Sequence, residues 1–263
     1  MKLFAIFGNP VDHSKSPLMH NLAFKGLNFN GCYTRWQLED GSKLRDTFFN
    51  LGLSGCNVTV PHKKEAFKAA DIVEPFAAKV QAVNTLILKD EKLYGYNTDA
   101  PGFYKALQKL GVVNSALIMG AGGTARALAL YLNSKSIDVE IVNRSYKRLQ
   151  WFKDRGFVTH TWDEFNPLPK DVIINTTSAG LIDKSLPMPK ELLDSVLKDT
   201  KYAVDVIYAK ETPFLKEAKT LALPCFDGSK MLLWQGVIAF DHFTQHSYSL
   251  DDIKTAMKPF LLL

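Results

Sequence analysis

Two α/β domains are the architecture this sequence predicts: a domain built on a mostly parallel sheet, a second of the Rossmann type, and a cleft between them. Three observations predict it. Strand-like and helix-like runs alternate through roughly the first hundred residues, a glycine-rich turn couples a strand to a helix at 120–126, and the alternation restarts there. At 263 residues and 46% hydrophobic, the chain buries a sizeable core and forms two domains more naturally than one.

In order, the apolar runs place a strand at Leu3 to Phe7, a helix from about Pro17 to Gly26, a strand at Cys32 to Trp36, and a helix around Lys43 to Leu51. A strand at Cys56 to Val60 follows, then a helix starting at Pro61 and a strand at Leu86 to Leu88. A helical segment from Asp99 to Gly111 bridges to the second rhythm, with strands at Ser115 to Met119, Val139 to Val142, Asp171 to Asn175 and Ala203 to Val206. Met231 to His242 and Leu250 to Leu262 read as two closing helices that pack back on the first domain. The boundaries expected are 1–98 with 230–263 for one domain and 99–229 for the other. Ligands of such folds bind outside the carboxyl ends of the strands, so the chemistry is expected in the cleft.

Composition narrows the function classes. Charged residues are 22% of the chain, near the globular average, and the net charge of +5 is spread without a run of like charges. A pI near 8.9 then suits an anionic small substrate as well as it suits a nucleic acid. Cys32, Cys56 and Cys225 are odd in number and far apart, which reads as reduced thiols and a cytoplasmic protein. Leu3 to Phe7 is too short for a signal-peptide core and ends in a turn, and no apolar run approaches membrane-spanning length. The six histidines show no ligand spacing, so no metal is expected.

The glycine-rich turn is Gly120-Ala121-Gly122-Gly123-Thr124-Ala125-Arg126, between the apolar run Ser115 to Met119 and the helical stretch Leu128 to Leu132. Glycines let a backbone approach a pyrophosphate, and the following helix presents free amides and the positive end of its dipole. This is a dinucleotide cradle, although the turn alone equally suits FAD or S-adenosylmethionine. Roughly 20 residues on, where an NAD site carries an acid for the ribose 2′-hydroxyl, stand Asn143-Arg144-Ser145 and Lys147-Arg148. That cationic set suits a 2′-phosphate and hence NADP; the competing reading is a solvated helix start.

Polar residues gather after the strands. Gly8 to Pro17 is dense in hydroxyls and turn formers, and Ser16 before Pro17 reads as a helix N-cap. Ser14 is not needed for capping, so a polyhydroxylated ligand accounts for the pair better. His13 is a candidate base or a turn residue. Lys63 falls in the first turn of a helix, facing the positive end of the macrodipole at a cost of about 0.3–1 kcal/mol. Something should offset that cost, and its place beyond a strand's carboxyl end points to function, whereas Lys64 reads as solvated. Asn84 and Thr85 precede one strand, Asp99 sits at the expected hinge as a catalytic group or an ordinary cap, and Asn175 to Gly180 forms another backbone-rich loop suited to the nicotinamide end of a dinucleotide.

Taken in order, Gly8 to Asn21, Asn57 to Lys63, Ala82 to Thr85, Asn97 to Asp99, Gly120 to Arg126, Asn175 to Gly180 and Asp227 to Gln235 resemble the shikimate dehydrogenase family over nearly the whole chain. The resemblance implies reversible NADPH-dependent reduction of 3-dehydroshikimate to shikimate, a cytoplasmic step of aromatic amino-acid synthesis. It implies that Lys63 and Asp99 are the catalytic pair and that Ser14, Ser16, Thr59, Asn84 and Gln235, with Tyr208, hold the substrate. It places Gly120, Gly122, Gly123, Thr124, Ala125, Thr176, Ser178 and Gly228 around the cofactor, with Asn143, Arg144, Ser145 and Arg148 at the 2′-phosphate. The chain departs from the family pattern at Ala100-Pro101, at Thr124 and at Ala209 to Thr212, the last weakening the case for Tyr208. A small-molecule partner, no nucleic acid, no membrane, and a monomer or homodimer are expected. The rival readings are a dual quinate/shikimate dehydrogenase, a methylenetetrahydrofolate dehydrogenase, and a non-catalytic NADP-binding redox sensor.

Overall fold

The computed structural model describes residues 1–262. It divides into two compact units, Met1–Gly102 with Leu233–Leu263, and Phe103–Leu232. The divisions fall inside two helices, a few residues from the expected 98/99 and 229/230.

In the first unit the elements are β1 (Lys2–Gly8), α1 (Ser16–Gly26), β2 (Gly31–Gln37), α2 (Leu44–Asn50), β3 (Gly55–Val58), α3 (Lys63–Ala69), β4 (Ile72–Val73), α4 (Pro75–Val80), β5 (Thr85–Lys89) and β6 (Lys92–Tyr96). They form one six-stranded sheet, ordered β2-β1-β3-β5-β6-β4. The β1–β2, β1–β3 and β4–β6 pairs are parallel, as helical crossovers require. β5 is the exception, antiparallel to both neighbours. β5 and β6 are joined by a hairpin whose two turn residues, Asp90 and Glu91, both have positive φ, +49° and +60°, the backbone a primed two-residue turn demands. Neither residue is glycine or asparagine, so this hairpin carries no turn signature in the sequence.

α5 (Asp99–Leu107) leads into the second unit, which contains β7 (Ser115–Met119), α6 (Gly123–Asn133), β8 (Asp138–Val142), α7 (Tyr146–Lys153), β9 (Val158–His160), β10 (Val172–Asn175), α8 (Lys190–Lys198), β11 (Tyr202–Asp205), α9 (Pro213–Thr220) and β12 (Cys225–Phe226). Its six strands are all parallel, ordered β12-β11-β10-β7-β8-β9. α10 (Ser229–Phe243) and α11 (Leu250–Met257) close the chain, and residues Lys258–Leu262 tighten into a 3₁₀ turn where a continuous helix was expected.

Each unit has its own core. In the first, Phe7, Leu44, Phe48, Val58, Leu86 and Leu93 are buried together under the sheet. On its other face α10 and α11 return to α1: Phe240 lies 5.0 Å from Phe24, and a Cβ at Gly236 would fall 2.1 Å from the Met19 methyl. The glycine is what lets α10 seat on α1. In the second, Leu117, Ile173, Leu193, Leu197 and Phe214 join sheet to helices. Among the described residues no helix is long and apolar enough to cross a membrane.

Among the buried polar groups is a titratable ring. His20 on α1 is fully buried and stacks on Tyr33 at 4.4 Å, and neither ring nitrogen has a hydrogen-bond partner of good geometry. Burial drives its pKa down to about 3, the nearby Asn57 amide opposing the shift. The folded chain therefore refuses a proton that the unfolded chain accepts near 6.5, and the stability His20 contributes above that value is lost as pH falls from about 6.5 toward about 3. His20→Phe keeps the stacked ring and removes the titration. Its unfolding free energy should gain on the native protein's by up to about 1.4 kcal/mol per pH unit in that window. Urea denaturation across pH checks this, and parallel curves would refute it.

Candidate active site

β1 is the point where the first sheet reverses its order: β2 lies on one side of it and β3 on the other, both parallel to it. The loops leaving the carboxyl ends of β1 and β3 therefore emerge side by side. They carry Ser14 and Ser16, and Thr59 to Lys63. Because β5 runs antiparallel, its amino end lies at the carboxyl end of β3, with Asn57 opposite Thr85, and β6 returns its carboxyl end to the same place, with Thr85 opposite Tyr96. Asn84 and the Asn97-Thr98-Asp99 segment are so delivered to the edge where Lys63 stands.

Lys63 opens α3, and its Nζ donates to Asp99 Oδ2 at 2.5 Å, with the two side chains 27% and 16% exposed. The carboxylate offsets the unfavourable dipole at Lys63. Asn84 Nδ2 donates to the other carboxylate oxygen at 2.9 Å, while Asn84 Oδ1 accepts the Thr98 amide at 2.8 Å and the Thr85 hydroxyl at 3.1 Å. Asn57 Nδ2 donates to Thr85 Oγ1 at 3.0 Å, and Asn57 Oδ1 accepts the Tyr33 hydroxyl at 2.7 Å. A buried chain of polar groups thus runs from β2 to Asp99. Asp99 is the first residue of α5, but its carboxylate is directed to Lys63 and Asn84.

Ser14 and Ser16 are buried in the neighbouring loop. The N-cap of α1 is Lys15, without a side-chain bond, and Ser16 is already helical, which corrects the expected cap. Ser14 does take part in the local turn, since its Oγ accepts the Ser16 amide at 3.3 Å. Its carbonyl is gripped by Arg35, through Nε at 3.1 Å and Nη2 at 2.7 Å. His13 is exposed. Thr59 donates its amide to Phe7 O, and its methyl sits where a Cβ on Gly8 would fall, at 2.4 Å. Gln235, buried on α10, meets the first turn of α5, since a Cβ on Gly102 would lie 2.5 Å from its backbone nitrogen.

In the second unit the sheet reverses between β7 and β10, on either side of which lie β8 and β11. Gly120 has φ +106°, and a Cβ there would strike Thr176 Oγ1 at 2.7 Å, so the turn requires glycine. Added Cβ atoms at Gly122 and Gly123 meet nothing within 4 Å. An open face is thereby left over the first turn of α6, whose early amides are free to receive an anion. Beside it is a cavity of about 510 Å³, walled in part by Gly120, Gly122, Asn143, Arg144, Arg148, Thr176 and Ser178. Gly123, Thr124, Ala125, Ser145 and Gly228 lie off that wall. Ala125 is buried, Ser145 is the N-cap position of α7, and Gly228 is pressed so close to Val206 O that a Cβ would fall 2.2 Å from it.

The potential near the cavity is positive. Arg126 and Arg155 both lie on Trp151, at 4.9 and 4.0 Å from the ring, and the Arg126 pKa is lowered by burial and then by Arg155 and Arg148. Arg126 Nε is buried without a partner. Of these guanidiniums Arg148 lines the cavity, and a guanidinium there fits a phosphate. Behind the Thr176 loop, Asp205 is fully buried and accepts from Asn175 Nδ2, Thr212 Oγ1 and the Ile207 amide at 3.0, 2.7 and 2.9 Å, and burial raises its carboxyl above the usual range. Asn175 Oδ1 in turn accepts the Thr177 amide and hydroxyl, which braces the loop. Tyr208 follows on the loop after β11, half-buried, with its hydroxyl pKa raised by burial.

A profile of the shikimate dehydrogenase substrate binding domain matches residues 6–86. The chain is 44% identical over 253 residues to shikimate dehydrogenase (NADP(+)) of Helicobacter hepaticus, covering 95% of this chain and 94% of that protein. It belongs to the shikimate dehydrogenase family. A further relative is the enzyme of the same name from Clostridium perfringens, 37% identical over 248 residues with 91% of each chain covered. The fold is similar to the crystal structure of shikimate dehydrogenase from Aquifex aeolicus, with a TM-score of 0.85, 33% identity and 98% of each chain covered. It is also similar to shikimate 5-dehydrogenase from Thermus thermophilus in complex with NADP(H) and shikimate, with a TM-score of 0.83, 33% identity, and 99% of this chain and 100% of that one covered.

Within the family's first unit the structure joins Lys63, Asp99 and Asn84 directly, and sets the Ser14–Ser16 loop and Thr59 on neighbouring strand ends. Sequence reasoning missed Tyr33, Asn57, Thr85 and Thr98 as the groups that fix Asn84. Tyr33 is an aromatic residue in a strand, so nothing local distinguished it from core. Asn84→Ala removes the amide shared by Thr85, Thr98 and Asp99, and should cost about 1–3 kcal/mol of stability, measured by urea denaturation. A loss below about 0.5 kcal/mol, typical of a surface site, would show the clamp to be slack.

Proposed function

We propose that this chain catalyses the reversible NADPH-dependent reduction of 3-dehydroshikimate to shikimate. The observation that carries the reading is the Lys63–Asp99 pair, held by Asn84 at the reversal point of a sheet whose adjoining loop presents two buried serines. The Thermus thermophilus relative with NADP(H) and shikimate bound supports the choice of ligands. The second unit supports the cofactor, through an open glycine turn, free helix amides and the Asn143, Arg144 and Arg148 wall. NADPH supplies a hydride to the ketone carbon, and no metal is needed for that transfer.

Hydride arrival leaves negative charge on the carbonyl oxygen. The Lys63 ammonium stabilises that charge and gives the oxygen its proton, and in the oxidative direction the amine takes the proton back. Asp99 points the ammonium and, anchored by Asn84, cannot swing away with it. Ser14, Ser16, Thr59 and Gln235, with Tyr208, supply hydroxyl and amide partners for a polyol carboxylate. We place the reaction in the cytoplasm, which its three unpaired cysteines suit.

Mixing the protein with shikimate and NADP should raise absorbance at the reduced-nicotinamide band, and quinate assayed in parallel measures any second substrate. Lys63→Ala should lose about 10²–10⁴ in kcat with a much smaller change in KM; a raised KM with kcat retained would make Lys63 a binding group only. Arg144→Ala should weaken NADPH far more than NADH in binding titrations, because only the former carries the extra phosphate. Equal losses would remove Arg144 from the phosphate site.

A further inference from the structure

The cavity beside the glycine turn is lined by both polar and apolar side chains. Asn143, Arg144 and Arg148 are among the polar ones, and Val142, Trp162, Leu186 and Pro187 among the apolar ones. Trp162 is half-buried and, with Leu186, packs onto the core of the second unit, so the indole is anchored from behind while it walls the cavity in front. The guanidinium of Arg144 lies over the indole, 6.0 Å from its centre. Arg144 is exposed, on the short connection between β8 and α7. Arg144 is a long exposed side chain, so a change of rotamer carries its guanidinium off the indole face and frees that face for a flat ring.

Resting on the NADP reading above, we infer that Trp162 is the adenine-binding wall of the cofactor site: one face of the purine stacks on the indole, and the 2′-phosphate falls toward Arg144 and Arg148. Two kinds of side chain then divide the recognition. Arginines read the phosphate that distinguishes NADPH from NADH. The indole reads the ring that both share, and a flat aromatic face binds a base with little rotamer entropy to lose. Nothing in the local sequence marked Trp162, because a lone tryptophan two residues past a strand reads as core.

The test uses adenosine 2′,5′-bisphosphate, which carries the adenine and the 2′-phosphate without nicotinamide, titrated into the full chain by calorimetry and by indole fluorescence. Native protein should bind it with quenching. Trp162→Ala should weaken binding about tenfold, and should weaken NADPH and NADH by the same factor, unlike Arg144→Ala. Trp162→Phe should keep affinity within about threefold while losing the quench, and this arm decides alone if Trp162→Ala does not fold. Native-like affinity in Trp162→Ala, or native-like quenching in Trp162→Phe, overturns the inference and leaves the NADP reading standing. Failure of the native protein to bind the bisphosphate overturns both.

Discussion

The amide of Asn84 is the interaction on which the geometry of the Lys63–Asp99 pair depends. One carboxamide receives Thr98 and Thr85 on its oxygen and holds the Asp99 carboxylate with its nitrogen. A lone carboxylate facing an ammonium can find it in many rotamers; a carboxylate fixed on its other oxygen has far fewer. The reason the three side chains meet is topological. In an all-parallel sheet the amino end of β5 would sit at the far side from the loop after β3. Reversing β5, and returning through β6, brings two further chain segments to the edge that already carries Lys63.

The second unit solves a different problem with the same geometry. Here the sheet stays parallel, so every functional loop leaves from one edge without a reversal. What must be arranged is backbone approach to a polyanion. Gly120 allows the turn, the α6 amides face the opening, and guanidiniums accumulate nearby, where burial first and then the charges of Arg155 and Arg148 lower the Arg126 pKa. An anion arriving there relieves repulsion as well as forming hydrogen bonds. The buried Asp205 cluster holds the opposite loop still, which a site assembled from loops requires.

Where apolar runs decide an element, the sequence is readable: β1, β7 and β8 fall within a residue or two of their expected places, and the glycine turn sits where strand gives way to helix. Legibility fails where tertiary partners decide. β6 was hidden because its hairpin turn lacks glycine, and β4, β9 and β12, two or three residues each, exist only by virtue of a neighbour. Ser16 carries the local signature of a cap yet is the first helical residue. Lys63 was legible because its position was locally unfavourable and needed compensation. Tyr33, Asn57 and Thr98 were not, since each is an ordinary residue until strands from distant parts of the chain set them side by side.

The first unit is discontinuous in the chain, its α1 face covered by α10, α11 and the closing 3₁₀ turn. During synthesis residues 103–232 are complete and contiguous while Phe4, Phe24 and His20 still lack the aromatic lid that Phe240 and Phe243 provide. Synthesis therefore supplies every strand of the amino-terminal sheet first and the helices that cover its α1 face last. The unit that begins first at the ribosome is the last to close, and its exposed phenylalanines are what a chaperone would meet in the interval.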